Sequence, residues 1–182
     1  TDGRRPVSDR NSGADPVRGP SIIAAVKGAG VGTIITVPDI TTSDGLLRPI
    51  SNDLELRHIA VCKEDEGIGI SAGLSYAGQR ALILIQNTGF LDSINAVRAV
   101  GVEYDMPICL MVGLLEKAPG EAPSEARNYG VRLVEPILDA MGIAHALIET
   151  EGDVAQIGPA IEDAYAASHP TALLIGQSPA AE

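Results

Sequence analysis

With 182 residues and a net charge of −11, the chain is long enough for one α/β domain with a sizeable core and too short for two comfortable ones. The acidic balance argues against a nucleic-acid surface or docking to an anionic membrane, since both need Lys and Arg to neutralise phosphates. A hydrophobic fraction of 45% with 3% aromatics implies a core of Ile, Leu, Val and Ala.

Residues 1–19 ("TDGRRPVSDRNSGADPVRG") have no hydrophobic period and read as a flexible arm, leaving 20–182 as a single domain. "SIIAAVKGAG" is a short helix with Pro20 near its start and Gly28 or Gly30 as its stop. "TIITV" (33–37) is a buried strand, followed by the turn-rich "PDITTSDG". "RHIAVC" (57–62) is the second strand and 67–78 the next helix. "ALILI" (81–85) is a third strand, apolar throughout as strands covered on both faces are. "DSINAVRAVGVEY" reads as a helix capped by Asp92 or Ser93, and "PICLMV" (107–112) as the fourth strand. Pro136 disfavours a helix running through it, so the next helix is expected to start near Glu135. "AHALIE" (144–149) and "TALLI" (171–175) close the series, flanking a helix with Pro159 in its first turn. Strands interleaved with helices predict an α/β, doubly wound, mostly parallel six-stranded sheet with helices on both faces. Ligands of such sheets sit beyond the carboxyl ends of the strands. That rule selects loops 38–45, 63–69, 86–92 and 113–129, the last expected to be mobile.

Several motifs are set aside on their spacing. "KGAGVGT" (27–33) precedes a strand, so its glycines end a helix and turn the chain. Gly67, Gly69 and Gly73 give G-x-G-x-x-x-G, which is not the dinucleotide fingerprint, and no G-x-x-x-x-G-K-[ST] occurs. His58, His145 and His169 have neither metal nor triad spacing, and no G-x-S-x-G is present. Cys62 and Cys109 read as two reduced core thiols of a cytoplasmic protein. No apolar run approaches the ~18 residues of a membrane span, and no signal-peptide pattern opens the sequence. There remains the cluster Glu64-Asp65-Glu66. The first two acids read as a solvated loop. Glu66 immediately precedes "GIGISAGLSYAG", read as a buried helix, and a carboxylate facing a cleft there is a functional candidate.

Glu66, "GIGISAGLSYAG", the strand "ALILIQNTG" and the following "SIN" together resemble the pyrimidine-binding domain of thiamine-diphosphate-dependent enzymes. "TVPD" (36–39) and "EPILDAMGI" (135–143) extend the likeness over roughly residues 20–176. The resemblance is nearest to sulfopyruvate decarboxylase alpha subunits and the matching half of phosphonopyruvate decarboxylases. It implies that Glu66 activates the cofactor by hydrogen-bonding N1′ of the aminopyrimidine, for decarboxylation of a 2-oxo acid. It also implies that Pro38, Asp39, Gln86, Asn87 and Thr88 line the pyrimidine and substrate pocket. The family anchors diphosphate through Mg²⁺ with a G-D-G, which is missing here. By resemblance, then, this chain is a carboxy-lyase alpha subunit active only as a heteromer. A beta subunit with the diphosphate-binding (PP) domain would hold Mg²⁺ and the diphosphate, in an α2β2 or larger assembly. Two departures bear on the substrate. Gly113 is followed by Leu114 and Leu115 where the family tends to carry Arg-Gly, and "QNTG" is followed by "FLD". Arg48 and Lys117 are the cations that could compensate. A lyase or carboligase acting on a less charged substrate, and a non-catalytic α/β binding module, are the alternatives.

Overall fold

The structure, a computed structural model, describes residues 15–182. Its frame is six strands: β1 (Thr33–Thr36), β2 (Arg57–Ala60), β3 (Ala81–Gln86), β4 (Cys109–Gly113), β5 (Ala144–Ile148) and β6 (Thr171–Ile175). They lie in the order β2-β1-β3-β4-β6-β5, and every ladder is parallel. Parallel neighbours require crossovers. Here these are supplied by α1 (Gly19–Gly28), α2 (Arg48–Asn52), α3 (Glu64–Tyr76), α4 (Asn87–Asp92), α5 (Ile94–Ala96), α6 (Tyr129–Ala140) and α7 (Ile157–Ala167). Wide π-type turns at Ser43–Leu47 and Val97–Glu103 lead into α2 and out of α5.

Alternation along the strands divides the core in two. Leu82 and Leu84 of β3 join Ile22, Val26, Leu46 and Ile161 on the face covered by α1, α2 and α7. Ala81, Ile83 and Ile85 join Ile68, Phe90, Val131 and Leu138 under α3, α4 and α6. This explains the uninterrupted apolar run of β3, whose side chains are buried whichever way they point. Each such Leu or Ile contributes about 1.5–3 kcal/mol by leaving water. The doubly wound α/β fold expected from the sequence is the one observed. Gly30, with φ of 76°, turns the chain out of α1 into β1, as read from "KGAGVGT".

Several boundaries differ. The expected arm falls for residues 1–14 outside the described residues. Of the remainder, Val17 is fully buried, Pro16 bridges to Thr150 and Arg18 to Ala180, so packing begins before Pro20. α4 starts at Asn87, directly on β3, so 86–92 is mostly helix, and 63–69 is mostly the N-terminal part of α3. α6 starts at Tyr129 and runs through Pro136. The Asn128 side chain caps it by accepting from the Gly130 N–H at 2.9 Å, and burial of Val131, Val134 and Leu138 outweighs the one backbone bond a proline forfeits. The 113–129 segment is packed down: Leu114, Lys117, Pro123 and Ala126 are all buried. Cys109 is buried as expected, with its thiol pushed up to about 12 by desolvation, but Cys62 is exposed. No described helix is long and apolar enough to cross a membrane.

Candidate functional site at the carboxyl ends of the strands

β2 delivers its chain through Val61–Lys63 into α3. Lys63 is extended (φ −139°, ψ 148°), so the helix begins abruptly and its first N–H groups need acceptors. Glu66, in that first turn, folds back to supply one. Its Oε2 accepts from the Cys62 N–H at 3.0 Å and the Lys63 N–H at 3.3 Å, the reciprocal half of a capping box. Its Oε1 takes no hydrogen bond from the described residues, and the residue is exposed. The expectation that Glu66 is held out of water is therefore not met in the single chain. The physical reason lies in α3 itself. Gly67, Ile68 and Ser71 are buried, and a Cβ on Gly67 would stand 3.2 Å from Ile35 Cγ2, so the helix sits tightly on the sheet. Its outer face carries Gly69, Gly73 and Tyr76, with Tyr76 90% exposed. Small apolar residues outside produced the featureless pattern that read as burial on every side.

The neighbouring acids also separate differently from the expectation. Asp65 is exposed, and its Oδ1 accepts from the Glu66 N–H at 3.0 Å. Glu64 is half-buried instead of solvated, because its carboxylate lies over Gly89 of α4, where any Cβ would overlap it. Lys63 Nζ stands 3.5 Å from Asp92 Oδ2, tying the start of α3 to the end of α4.

Next to β2, the strand β1 ends in Val37-Pro38-Asp39. Pro38 and Ile40 are exposed, whereas Asp39 is buried. Asp39 Oδ1 accepts from the Thr41 N–H at 2.9 Å and Oδ2 from the Thr42 hydroxyl at 2.8 Å, while its carbonyl accepts from Ser43. The carboxylate shapes the loop, pressed against Gly113 of β4, which has no room for a Cβ there. On the other side of β1, β3 ends in Gln86, whose amide donates to the exposed Thr88 hydroxyl at 2.6 Å. Asn87 points inward and is fully buried. Its Oδ1 accepts from the Leu115 N–H at 3.0 Å, and its Nδ2 has no partner. The structure thus brings Glu66, Pro38, Gln86 and Thr88 to the ends of three adjoining strands, and turns Asp39 and Asn87 into the protein.

The other half of the carboxyl edge holds Lys117, one of the two cations singled out in the sequence, in a pairing the sequence reading did not foresee. Lys117, with a fully buried side chain, donates to Glu149 Oε1 just past β5, and its Nζ also reaches the Ala118 carbonyl at 3.0 Å. Asp153 Oδ2 accepts from the Glu149 N–H at 3.1 Å, the Thr150 N–H at 2.8 Å and the Thr150 hydroxyl at 2.8 Å. Burial pushes the Asp153 carboxyl up, but those hydrogen bonds outweigh it and hold it below the ordinary range. The Thr150-x-x-Asp153 spacing of a capping box was the available signal. Lys117 is therefore engaged, and Arg48 forms an exposed pair with Asp44 at 3.0 Å. His58 Nε2 shares a hydrogen bond with the Thr36 hydroxyl at 2.8 Å, and His145 and His169 meet backbone carbonyls. No acid, histidine or cysteine cluster able to hold a metal occurs among the described residues. At this edge the Glu66 carboxylate is fixed through one oxygen by two backbone N–H groups, with the second oxygen open.

No family model matches the chain. Over 159 residues it is 30% identical to the sulfopyruvate decarboxylase subunit alpha of Methanocaldococcus jannaschii, covering 85% of this chain and 90% of that subunit. It is also 30% identical over 107 residues to the subunit of the same name from Methanococcus maripaludis, covering 57% of this chain. That match spans 64% of the M. maripaludis subunit, just under two thirds of its length. Among solved structures, a Mycobacterium smegmatis protein described as a thiamin diphosphate-dependent enzyme shares the fold. Its TM-score is 0.59 at 14% identity, covering 95% of this chain and 35% of that one.

Proposed function

This chain belongs to the family of sulfopyruvate decarboxylase alpha subunits, and we propose that it is the pyrimidine-binding subunit of a heteromeric, thiamine-diphosphate-dependent 2-oxo acid decarboxylase. The observation that carries the reading is Glu66, clamped by two backbone N–H groups through Oε2 and open at Oε1, where β2, β1 and β3 end side by side. Thiamine diphosphate supplies the electron sink for the loss of CO₂. The protein's part is to present Glu66 Oε1 to N1′ of the aminopyrimidine and hold the shared proton there. Rotation of that carboxylate would break both N–H bonds, so its direction is set before any ligand arrives. Pro38, Gln86 and Thr88 line the pocket, and Asp39 and Asn87 fix the loops that form its walls. Mg²⁺ and the diphosphate belong to a beta subunit with a PP domain, in an α2β2 or larger cytoplasmic assembly. A second chain is supported by the outer face of α3, where Gly69, Gly73 and Tyr76 leave apolar surface open beside Glu66.

The test is co-expression with a partner subunit and measurement of CO₂ release from 2-oxo acids, with and without thiamine diphosphate and Mg²⁺. Glu66→Gln keeps the helix cap and the assembly but lowers turnover by ~10²–10⁴. Full activity in that variant would remove Glu66 from the mechanism. A stable complex that releases no CO₂ from any 2-oxo acid would favour the binding-module alternative.

A further inference from the structure

Of the three acids at the start of α3, only Glu64 is half-buried, and the chain makes no use of its charge. Asp65 accepts from the Glu66 N–H, and Glu66 from the N–H groups of Cys62 and Lys63. Glu64 has no hydrogen bond and no ion pair among the described residues. The adjoining cation, Lys63, stands 3.5 Å from Asp92 and 3.9 Å from Asp65 instead. Nor is the carboxylate sealed in: the enclosed side-chain polar atoms without a partner are Ser71 Oγ and Asn87 Nδ2. Taking a carboxylate partly out of water without a partner is costly, so the fold must make room for it.

That room is Gly89. The Glu64 side chain lies along this glycine from Cγ to Oε1, in space that any Cβ would occupy. Gly89 follows Thr88 in α4, and α4 begins directly at the end of β3. Glu64 therefore leans over the β3 end, beside Thr88, whereas Glu66 is folded back over the β2 end. β1 lies between those two strands, with Pro38 exposed beyond it. The edge thus presents two acids with free oxygens from the two sides of the β1 end, an arrangement suited to a flat ring with more than one N–H donor.

We infer, resting on the thiamine-diphosphate reading, that Glu64 is a second ligand-facing acid, which accepts an N–H of the aminopyrimidine from the β3 side, and that Gly89 is the residue that admits it there. Binding of thiamine diphosphate with Mg²⁺ is measured by calorimetry on the co-expressed alpha–beta complex, with CO₂ release alongside. Glu64→Gln keeps the shape and should weaken binding ~10-fold or more, the effect of losing a charged hydrogen bond. Gly89→Ala should weaken it comparably by displacing the acid, and the double variant should bind no worse than the weaker single one. Asp65→Asn should bind as the parent does. Urea midpoints of the cofactor-free complexes should agree for Glu64→Gln and the parent, since no internal bond is lost. Parent-like binding by Glu64→Gln, or a loss of binding matched by a lower midpoint, overturns the inference and leaves the decarboxylase reading standing. A loss in Glu64→Gln with none in Glu66→Gln upholds it and moves the ring contact from Glu66 to Glu64. A parent complex that binds no thiamine diphosphate removes both.

Discussion

Two acids follow the two edge strands of the sheet, and the structure treats them in opposite ways. Glu66, past β2, is exposed, held through one oxygen by its own helix and open at the other. Glu149, past β5, is buried, paired with Lys117 and pressed against Gly176, where a Cβ would overlap it. Both lie at the carboxyl edge, where ligands of doubly wound sheets are held. What separates them is whether the chain itself completes their coordination. At β5 it does, and the result ties the loop after β4 to the end of β5. At β2 it holds one carboxylate oxygen and leaves the other to solvent or, in the function proposed above, to a ligand.

The sharpest way to break this contrast is to measure stability at both acids. Lys117→Met leaves the Glu149 carboxylate buried without its cation and should cost about 3–5 kcal/mol in urea unfolding. Adding Glu149→Leu should recover much of that loss, because replacing a whole buried pair by apolar groups is far milder than breaking it. A Lys117→Met loss below about 1 kcal/mol would show that the β5 end is no more closed than the β2 end. The second measurement is Glu66→Ala in the isolated subunit. It removes a helix-capping acceptor from an exposed position and should cost only about 0.3–1.5 kcal/mol. A loss as large as that of Lys117→Met would make Glu66 a structural acid and erase the distinction.

How legible this was from the residues follows the same division. β6 was read to the residue and β3 nearly so, because strands buried on both faces announce themselves as apolar runs that no helix period fits. The position of Glu66 at the carboxyl edge followed from strand order alone. Its exposure did not, since an apolar pattern cannot tell the open outer face of a helix from the inner face covered by the sheet. Glu64 was misplaced for a related reason: its burial depends on Gly89, which adjoins it only because α4 begins without a loop after β3. Lys117 and Glu149 are 32 residues apart, and no local rule pairs them. Asn128 was a readable cap, but Pro136 carried more weight than it deserved: the Val131-Val134-Leu138 stripe carries α6 through it.

The smallest effect belongs to Asp153, which completes the closed end by accepting from the Glu149 and Thr150 N–H groups and the Thr150 hydroxyl. Burial alone would raise its carboxyl, and the three donors more than reverse that, so its folded value lies below the ordinary one. A group depressed in the folded state stabilises above its unfolded pKa, near 4, and loses that contribution as pH falls through the folded value. Asp153→Asn should therefore unfold at lower urea than the parent at pH 7, and the gap should close as pH drops below about 4. An Asp153→Asn deficit that stays constant from pH 7 to pH 3 would mean that the loop needs the shape of the side chain and not its charge. The two ends of the sheet would then differ in packing alone.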